Sequence, residues 1–178
     1  MPFSALGLAP SLAHAAASQG LIAPTPVQSQ AIPAILNGHD LRACAPTGSG
    51  KTAAYVLPLL QQWLLSDAAQ RQGSRSTQAL VLVPTRELAA QVAELIYHVG
   101  EAMGRRPKVA VLTGGVSINP QLMALRGGAD MVIATPGRLL DVVAHSQLKL
   151  HTIDTLVMDE ADRLLDLGFA EELEQVLA

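Results

Sequence analysis

The sequence has a single cysteine, few aromatic residues and no excess of basic residues. Cys44 is the only cysteine among 178 residues, so neither an intrachain disulfide nor a cysteine-based zinc site is expected. Aromatic residues make up 3% of the chain, and 12 basic residues face 15 acidic ones. This balance lacks the strong basicity of many nucleic-acid-binding domains, so any such contact must come from individually placed groups. A reducing, cytoplasmic compartment is the expected location.

The N-terminal region also lacks the features of a secretory leader. No Lys or Arg precedes Arg42, and Pro10, Ser11 and His14 interrupt the early apolar residues. The pattern favours an amphipathic helix that is capped by Ser11 and stopped at Gly20. Since every long apolar run contains a breaker, no membrane-spanning helix is expected.

Short apolar runs alternate with segments of helical periodicity along the chain. The runs occupy residues 41–45, 79–83, 109–112, 131–134 and 156–158. Runs that are apolar at nearly every position are typical of strands buried on both faces of a parallel sheet. The order therefore predicts a doubly wound α/β domain, with a mostly parallel sheet and helices on both faces.

Two features interrupt the alternation. Pro58 lies in the helix expected after Lys51, and it predicts that this helix kinks or ends there. Residues 66–78 are rich in polar side chains and are predicted to form a surface loop.

A glycine-rich turn follows the first predicted strand. Residues 45–52 read A-P-T-G-S-G-K-T, which matches the phosphate-binding pattern G-x-x-x-x-G-K-[ST] except for alanine at its first position. Gly48 and Gly50 would let backbone N–H groups approach phosphate oxygens. Lys51 would reach the terminal phosphates, and Thr52 would offer a hydroxyl to Mg²⁺. The motif alone leaves open that this is only a glycine-rich turn.

Two adjacent carboxylates end the last predicted strand. Residues 156–160 read L-V-M-D-E, a buried strand followed by Asp159 and Glu160. Asp159 would hold Mg²⁺, and Glu160 would orient or deprotonate an attacking water. The alternative is a solvated acidic turn or helix cap. A phosphate loop and this pair, roughly a hundred residues apart, together favour nucleotide hydrolysis.

Residues 159–162 spell D-E-A-D, and the motifs in their order resemble the N-terminal RecA-like domain of the DEAD-box ATP-dependent RNA helicases of superfamily 2. Motif I of that family usually begins with alanine, as residues 45–52 do. The resemblance implies a RecA-like P-loop fold with ATP and Mg²⁺ as cofactors. It further implies Lys51, Asp159 and Glu160 as catalytic residues and Asp162 as a residue of interdomain coupling. Residues 114–130 and the M-P-F-S-A-L-G-L start are similar in particular to the bacterial RhlE group.

The nucleotide-reading residues follow from the same resemblance. Residues 20–28, G-L-I-A-P-T-P-V-Q, resemble the family's Q motif, in which Gln28 reads the adenine edge and Phe3 stacks on the base. Without the family, Gln28 would be interpreted as an exposed helical glutamine. The implied nucleotide-binding residues are Phe3, Thr25, Gln28, Pro46, Thr47, Gly48, Ser49, Gly50, Lys51 and Thr52, and the implied Mg²⁺ ligands are Thr52 and Asp159.

Three further stretches resemble the RNA-facing motifs of the family. The implied RNA-binding residues are Pro84, Thr85 and Arg86 of motif Ia, Gly114 and Gly115 of the glycine doublet, and Thr135, Pro136, Gly137 and Arg138 of motif Ib. Each alone has an ordinary alternative: Thr85 as a helix cap, Pro136 as a first-turn proline, Arg138 as a surface charge. Backbone contacts of this kind predict sequence-independent RNA binding that weakens as salt rises.

By this resemblance, residues 1–30 are an N-terminal extension with the Q motif and residues 31–178 are the first RecA-like domain. The sequence lacks the family's S-A-T motif and second RecA-like domain, whose arginine finger is worth about a thousandfold or more in rate. The chain alone is therefore expected to bind nucleotide weakly, hydrolyse it very slowly and not unwind RNA. Its expected partners are RNA and the second RecA-like domain, with no membrane.

Two other functions remain open at this point. A superfamily 2 DNA translocase would share the phosphate loop and the carboxylate pair, and a nucleotide-responsive protein-binding module would need no catalysis. A GTPase is disfavoured, because neither Asn37 nor Asn119 is followed by the lysine of an N-K-x-D motif.

Overall fold

A computed structural model of the chain describes residues 2–66, 76–146 and 148–178. The helices are α1 (Pro10–Ser18), α2 (Pro26–Leu36), α3 (Lys51–Leu65), α4 (Arg86–Ala102), α5 (Ile118–Ala124), α6 (Pro136–His145), α7 (Ala161–Asp166) and α8 (Ala170–Leu177). The strands are β1 (Ala79–Leu82), β2 (Val109–Leu112), β3 (Met131–Ala134) and β4 (Thr155–Met158). Short 3₁₀ helices occupy Phe3–Leu6 and Leu150–Thr152.

The four strands form one parallel sheet in the order β2-β3-β1-β4. In β1, Leu82 is level with Ala134 of β3 and Met158 of β4, and Leu112 of β2 is level with Ala134. The strands therefore end together, and the turns that follow them leave the sheet at one edge, where ligands of open α/β sheets bind. The predicted parallel α/β architecture is confirmed.

The described residues fall into two compact units. The helical unit comprises residues 2–66 and 94–106, and the sheet unit comprises residues 76–93, 107–146 and 148–178. The division runs through α4.

In the helical unit, α2 packs against α3, and α3 continues through Pro58 to Leu65. Of the predicted kink or end at Pro58, the end is wrong, while the kink stays a prediction. Proline removes one N–H donor, whereas Val56, Leu57 and Leu60 around it are fully buried, and this packing stabilises the helix. Although α3 is largely apolar, neither it nor another helix in the described ranges has the length and hydropathy to cross a membrane.

The predicted first helix exists but begins elsewhere. It starts at Pro10 with Ala9 at the cap position, so Ser11 lies inside the helix and does not cap it. The Ala9 N–H donates to Oε1 of Gln61 at 2.7 Å, which fixes the entry of the chain into α1. Proline at the first position suits a helix start, because its missing N–H would have no partner there.

In the sheet unit, β1 and β3 are buried along their whole length, but β4 is not. Leu156 and Met158 are 38% and 44% exposed, so the predicted burial of this strand is wrong. The reason is position: among the described strands, β4 ends the strand order and pairs with β1 alone. The core lies instead around the middle strands and the helices on them, including Leu82, Val132, Leu139 and Leu164.

The predicted first strand at residues 41–45 is not a strand in the structure. Leu41 and Cys44 are exposed, against the expectation of a buried run. An extended segment becomes a strand only through backbone pairing, and residues 41–45 pair with no strand in the part of the chain that the structure describes. Most of the predicted loop at residues 66–78 lies outside the described residues.

Candidate functional site

In the helical unit, the phosphate loop, residues 45–52, leads directly into α3. Gly48 and Gly50 have φ values of 79° and 92°, a region that favours glycine. Gly50 is the N-cap of α3, and Lys51 and Thr52 are its first residues. The first N–H groups of a helix have no intrahelical acceptor, so this end of α3 suits an anion. The Ser49 hydroxyl is also buried without a hydrogen-bond partner among the described residues.

Lys51 closes the phosphate loop on itself. Its ammonium donates to the carbonyl oxygens of Ala45 and Pro46, the latter at 3.0 Å. Both acceptors belong to the loop that the lysine follows, so the side chain spans the turn. A phosphate would have to replace these two carbonyls as the acceptor of the ammonium, and a charged oxygen is the stronger acceptor.

Gln28 joins the Q motif to the phosphate loop. Its Nε2 donates to the Gly50 carbonyl at 3.0 Å, and its Oε1 accepts from the Thr25 N–H at 2.9 Å. Thr25 and Gln28 together form a capping box at the start of α2. Gln28 is 1% exposed, so its interpretation as an exposed helical glutamine is wrong. The amide oxygen can accept two hydrogen bonds and the amide NH₂ group can donate two. One acceptor site and one donor of Gln28 therefore remain for an adenine edge.

Phe3 is not presented to a ligand in this structure. Its residue exposure is 3%, and it lies in the first 3₁₀ helix. Stacking on a base would require the ring to become accessible, so this role stays a prediction. A cavity of about 280 Å³ in the helical unit holds none of the predicted site residues; it is lined by Leu6, Gly7, Pro33, Leu36, Asn37, Gln61 and Leu65.

In the sheet unit, Asp159 and Glu160 follow β4 directly. The Asp159 N–H donates to the Leu82 carbonyl at 2.9 Å, which extends the pairing of β4 with β1 by one residue. Asp159 is buried, and its Oδ1 accepts from the Glu160 N–H at 2.9 Å. The carboxylate is thereby fixed at the end of the strand.

Glu160 has a strained backbone. Its φ of 49° makes it the one described non-glycine residue with positive φ. This conformation costs about 1–3 kcal/mol, and residues strained in this way cluster at functional sites. Glu160 occupies the N-cap position of α7, but its side chain makes no capping hydrogen bond. Its Oε2 instead accepts from Nη1 of Arg163 at 2.7 Å. The helix-cap alternative therefore does not explain this side chain.

The three RNA-facing stretches lie at the shared edge of the sheet. Thr85 caps α4, since its Oγ1 accepts from the Leu88 N–H at 3.2 Å, and Pro136 is the first residue of α6. Thr85 is thus a helix cap and Pro136 a first-turn proline, the ordinary structural roles that the sequence also allowed. A Cβ added to Gly115 would lie 3.4 Å from Nη1 of Arg86, so motif Ia reaches the glycine doublet.

Motif Ib contacts the residue that follows the glycine doublet. Nη2 of Arg138 donates to the Val116 carbonyl at 2.9 Å, and its side chain is only 12% exposed. Arg138 is therefore no ordinary surface charge. Asp162 lies on the surface, where its Oδ1 accepts from the Arg163 N–H at 3.0 Å. The structure groups all three RNA-facing motifs around residues 114–116.

Two residues that the sequence did not single out contact a predicted residue or its direct neighbour in the chain. Arg163 binds the Glu160 carboxylate, and Gln121 binds the backbone of Thr113, next to the glycine doublet. For Gln121 the sequence holds no signal, because a glutamine in a short helix is ordinary. For Arg163 the spacing of three residues from Glu160 in a helix start is the available signal.

Comparisons with known proteins show which sequences and folds the chain resembles. The sequence model of the DEAD/DEAH box helicase family matches residues 25–178. The DEAD-box ATP-dependent RNA helicase CshA of Streptococcus pneumoniae is 42% identical over 178 residues, which are 100% of this chain and 32% of that protein. The DEAD-box ATP-dependent RNA helicase 52A of Oryza sativa subsp. japonica is 42% identical over 184 residues, or 98% of this chain and 30% of that protein. The chain thus spans about a third of the length of the curated relatives it matches.

Solved structures give the same result for the fold. The crystal structure of the RNA-helicase Prp28 from Chaetomium thermophilum bound to ADP matches with a TM-score of 0.83 and 38% identity, over 97% of this chain and 41% of that one. A DEAD box protein from the hyperthermophile Methanococcus jannaschii matches with a TM-score of 0.85 and 36% identity, over 99% of this chain and 46% of that one. The RecA-like fold prediction is confirmed, while the narrower RhlE resemblance stays a prediction.

Proposed function

Because this chain belongs to the DEAD/DEAH box helicase family, we propose that it is the ATP-binding first RecA-like domain of an ATP-dependent RNA helicase. The parent protein would couple ATP binding and hydrolysis to local unwinding of RNA duplexes. The observation that supports this best is the hydrogen bond from Gln28 to the Gly50 carbonyl. A phosphate loop serves many nucleotides, whereas an amide fixed beside it suits the donor-acceptor edge of adenine. The names of the CshA and 52A relatives support the same function.

The helical unit would bind the nucleotide. Backbone N–H groups of the phosphate loop would surround the phosphates, and Lys51 would exchange its two carbonyl acceptors for phosphate oxygens. The buried Ser49 hydroxyl has no partner among the described residues and would gain one from such a ligand. Gln28 would read adenine while Phe3 stacks on the base. The remaining proposed contacts are Thr25, Pro46, Thr47, Gly48 and Gly50.

Mg²⁺ is the proposed metal cofactor, with Asp159 and the Thr52 hydroxyl as its ligands. Both offer the hard oxygen atoms that Mg²⁺ prefers. Within the described ranges no three His, Cys, Asp or Glu side chains group into a metal site, which suits an ion held by one carboxylate together with phosphates and water. When bound, Mg²⁺ would neutralise charge that develops on the phosphates.

Glu160 is the proposed general base or water-orienting residue. Its strained backbone sets the carboxylate at the turn after β4, and Arg163 holds it there. Such a base typically contributes about 10²- to 10⁴-fold in rate. An arginine finger from the second RecA-like domain would add about a thousandfold or more. We therefore expect very slow hydrolysis and no unwinding by this chain alone, with Asp162 serving in the coupling of the two domains.

RNA would bind at the sheet edge, through the backbone contacts that motifs Ia and Ib and the glycine doublet provide. The DNA translocase alternative makes a different prediction for nucleic-acid choice, since DNA lacks the 2′-hydroxyl. We expect this chain to bind single-stranded RNA more tightly than DNA of the same sequence, measured by fluorescence anisotropy at several salt concentrations. Equal binding would favour the DNA translocase, and no binding to either would favour a protein-binding module.

A matched pair of arginine variants assigns the RNA contact. Arg86 lies in motif Ia with a half-exposed side chain, whereas Arg126 is exposed away from the three motifs. Arg86→Ala should lower RNA affinity and reduce the slope of log affinity against log salt by about 1, because it removes one phosphate contact. Arg126→Ala changes net charge equally and should leave the slope as it is. The same slope in both variants would contradict the assignment of motif Ia.

A further inference from the structure

The doublet loop, residues 113–117, presents unused backbone donors to solvent. Gly114, Gly115 and Val116 are exposed, and among the described residues their N–H groups donate no hydrogen bond. Gly115 has a φ of 77°, which favours glycine at this turn. A Cβ on Gly114 would meet no atom within 4 Å. Adjacent free N–H groups of this kind suit an anion such as a phosphate.

One end of the doublet loop is held by Gln121 of α5. The Gln121 Nε2 donates to the Thr113 carbonyl at 2.9 Å, and its Oε1 accepts from the Thr113 N–H at 3.2 Å. Both residues are buried. The amide thus satisfies both backbone groups of Thr113 at once, as a neighbouring strand would.

The position of β2 explains why the backbone of Thr113 needs the Gln121 amide as its partner. Within the part of the chain that the structure describes, β2 ends the strand order and pairs with β3 alone. The Leu112 carbonyl accepts from the Thr135 N–H at 3.0 Å, so the backbone of Leu112 faces β3. Successive residues of a strand direct their backbone groups to opposite sides, so the N–H and C=O of Thr113 face the side without a strand. Buried backbone groups without partners are costly, and Gln121 supplies the partners.

The other end of the loop is held by Arg138 of α6, through the hydrogen bond to the Val116 carbonyl. A further atom of this guanidinium, Nη1, is buried and has no hydrogen-bond partner among the described residues. The two anchors lie on either side of Gly114 and Gly115. Between them the loop has little freedom, although its glycines alone would allow many conformations.

We propose that Gln121 is a positioning residue for RNA binding: it fixes the doublet loop so that the N–H groups of Gly114 and Gly115 face an RNA phosphate. This inference rests on the proposed function. Gln121 does not touch RNA itself. Its contribution is pre-organisation, because a loop that is already ordered loses less conformational entropy when the phosphate binds.

The test compares Gln121→Leu with the wild-type chain. Leucine fills a similar space but offers neither hydrogen bond to Thr113. RNA affinity, measured with single-stranded RNA by anisotropy, should fall about 5- to 10-fold, the entropy cost of ordering about one loop residue on binding. In ¹H–¹⁵N spectra, the Gly114 and Gly115 amide signals should shift on RNA addition in the wild type and shift less in the variant.

Two further variants separate positioning from general stability. Met123→Ala removes an exposed side chain from the same helix and should leave RNA affinity unchanged. Gln121→Met keeps an unbranched, uncharged side chain of similar length but offers neither hydrogen bond to Thr113, so its RNA affinity should fall as that of Gln121→Leu does. If Gln121 only stabilised the fold, its substitution would lower the melting temperature without changing the RNA affinity or the glycine amide shifts of the folded chain.

The outcomes distinguish this inference from the proposed function. If the wild type binds RNA and Gln121→Leu binds it equally well, the positioning role is wrong while the RNA-binding function stands. If the wild type binds no RNA, the proposed function fails and the role of Gln121 fails with it. Should Gln121→Leu not fold, Gln121→Met decides, and wild-type affinity in that variant would overturn the inference.

Discussion

Replacing Lys51 by alanine should weaken the binding of an ADP analogue by about 10- to 100-fold, the effect of losing charge-assisted hydrogen bonds to phosphate. The side chain follows the N-cap glycine of α3 and spans the phosphate loop to the Ala45 and Pro46 carbonyls. These two hydrogen bonds must be given up when phosphate binds, so the gain from the phosphate is partly offset. Lys51 is nevertheless the one basic residue of this loop, so its replacement leaves no other positive charge there to bind phosphate.

The effect of Lys51→Ala is measured by titrating a fluorescent ADP analogue and following its anisotropy. Lys149→Ala is the matched control, since it removes the same charge from an exposed position outside the phosphate loop. Its affinity should equal that of the wild type. If Lys51→Ala binds the analogue as tightly as Lys149→Ala does, the phosphate loop is not the nucleotide site.

Substitution of Gly50 by alanine should destabilise the chain and impair nucleotide binding together. The new Cβ would lie 2.4 Å from Nε2 of Gln28 and 3.3 Å from Oγ1 of Thr25. The Gln28 amide would have to move and give up its hydrogen bond to Gly50. A φ of 92° adds backbone strain for alanine, which costs about 1–3 kcal/mol. A loss of that size lowers the melting temperature by roughly 3–10 °C in a chain of this length.

Gly38→Ala is the matched control for this substitution. Gly38 also has positive φ, at 76°, but a Cβ there would meet no atom within 4 Å. Thermal unfolding should therefore show a smaller loss for Gly38→Ala than for Gly50→Ala. Adding Gln28→Ala to Gly50→Ala removes the clashing amide, so the double variant should lose less stability than the two single losses combined. Additive losses would show that the contact between Gln28 and Gly50 is not as described.

The sheet of this protein was largely predictable from its sequence. Three of the apolar runs, at residues 79–83, 109–112 and 131–134, became β1, β2 and β3 within one residue. In these segments burial and local propensity favour the same structure, so the pattern alone was sufficient.

The sequence predictions were wrong in segments whose structure depends on pairing with another strand. Residues 41–45 are apolar enough for a buried strand, but no described strand pairs with them. Met158 is exposed because β4 lies at the end of the sheet, and nothing in its own sequence distinguishes an edge strand from a central one. Strand pairing is a property of the partner as much as of the segment.

The site was predictable in its residues more than in its contacts. The motifs identified Gln28, Lys51 and Asp159. The hydrogen bond between Gln28 and Thr25 spans three residues, a spacing typical of a capping box. The hydrogen bond from Gln28 to Gly50 spans 22 residues and could not be derived from spacing. The same holds for Gln121, whose role depends on the unpaired side of β2. Such side-chain contacts with a distant backbone appear only when the chain is folded.

The most direct test of the nucleotide site is a competition titration of the wild-type chain and Gln28→Ala with ATP and with GTP, in Mg²⁺ and in EDTA. Adenine recognition by one amide involves two hydrogen bonds, so the wild type should prefer ATP by about tenfold or more. Gln28→Ala should lose most of this preference, and EDTA should weaken ATP binding in both proteins. Equal affinity of the wild type for ATP and GTP, or an unchanged preference in Gln28→Ala, would contradict an adenine-specific helicase domain that reads its nucleotide through Gln28.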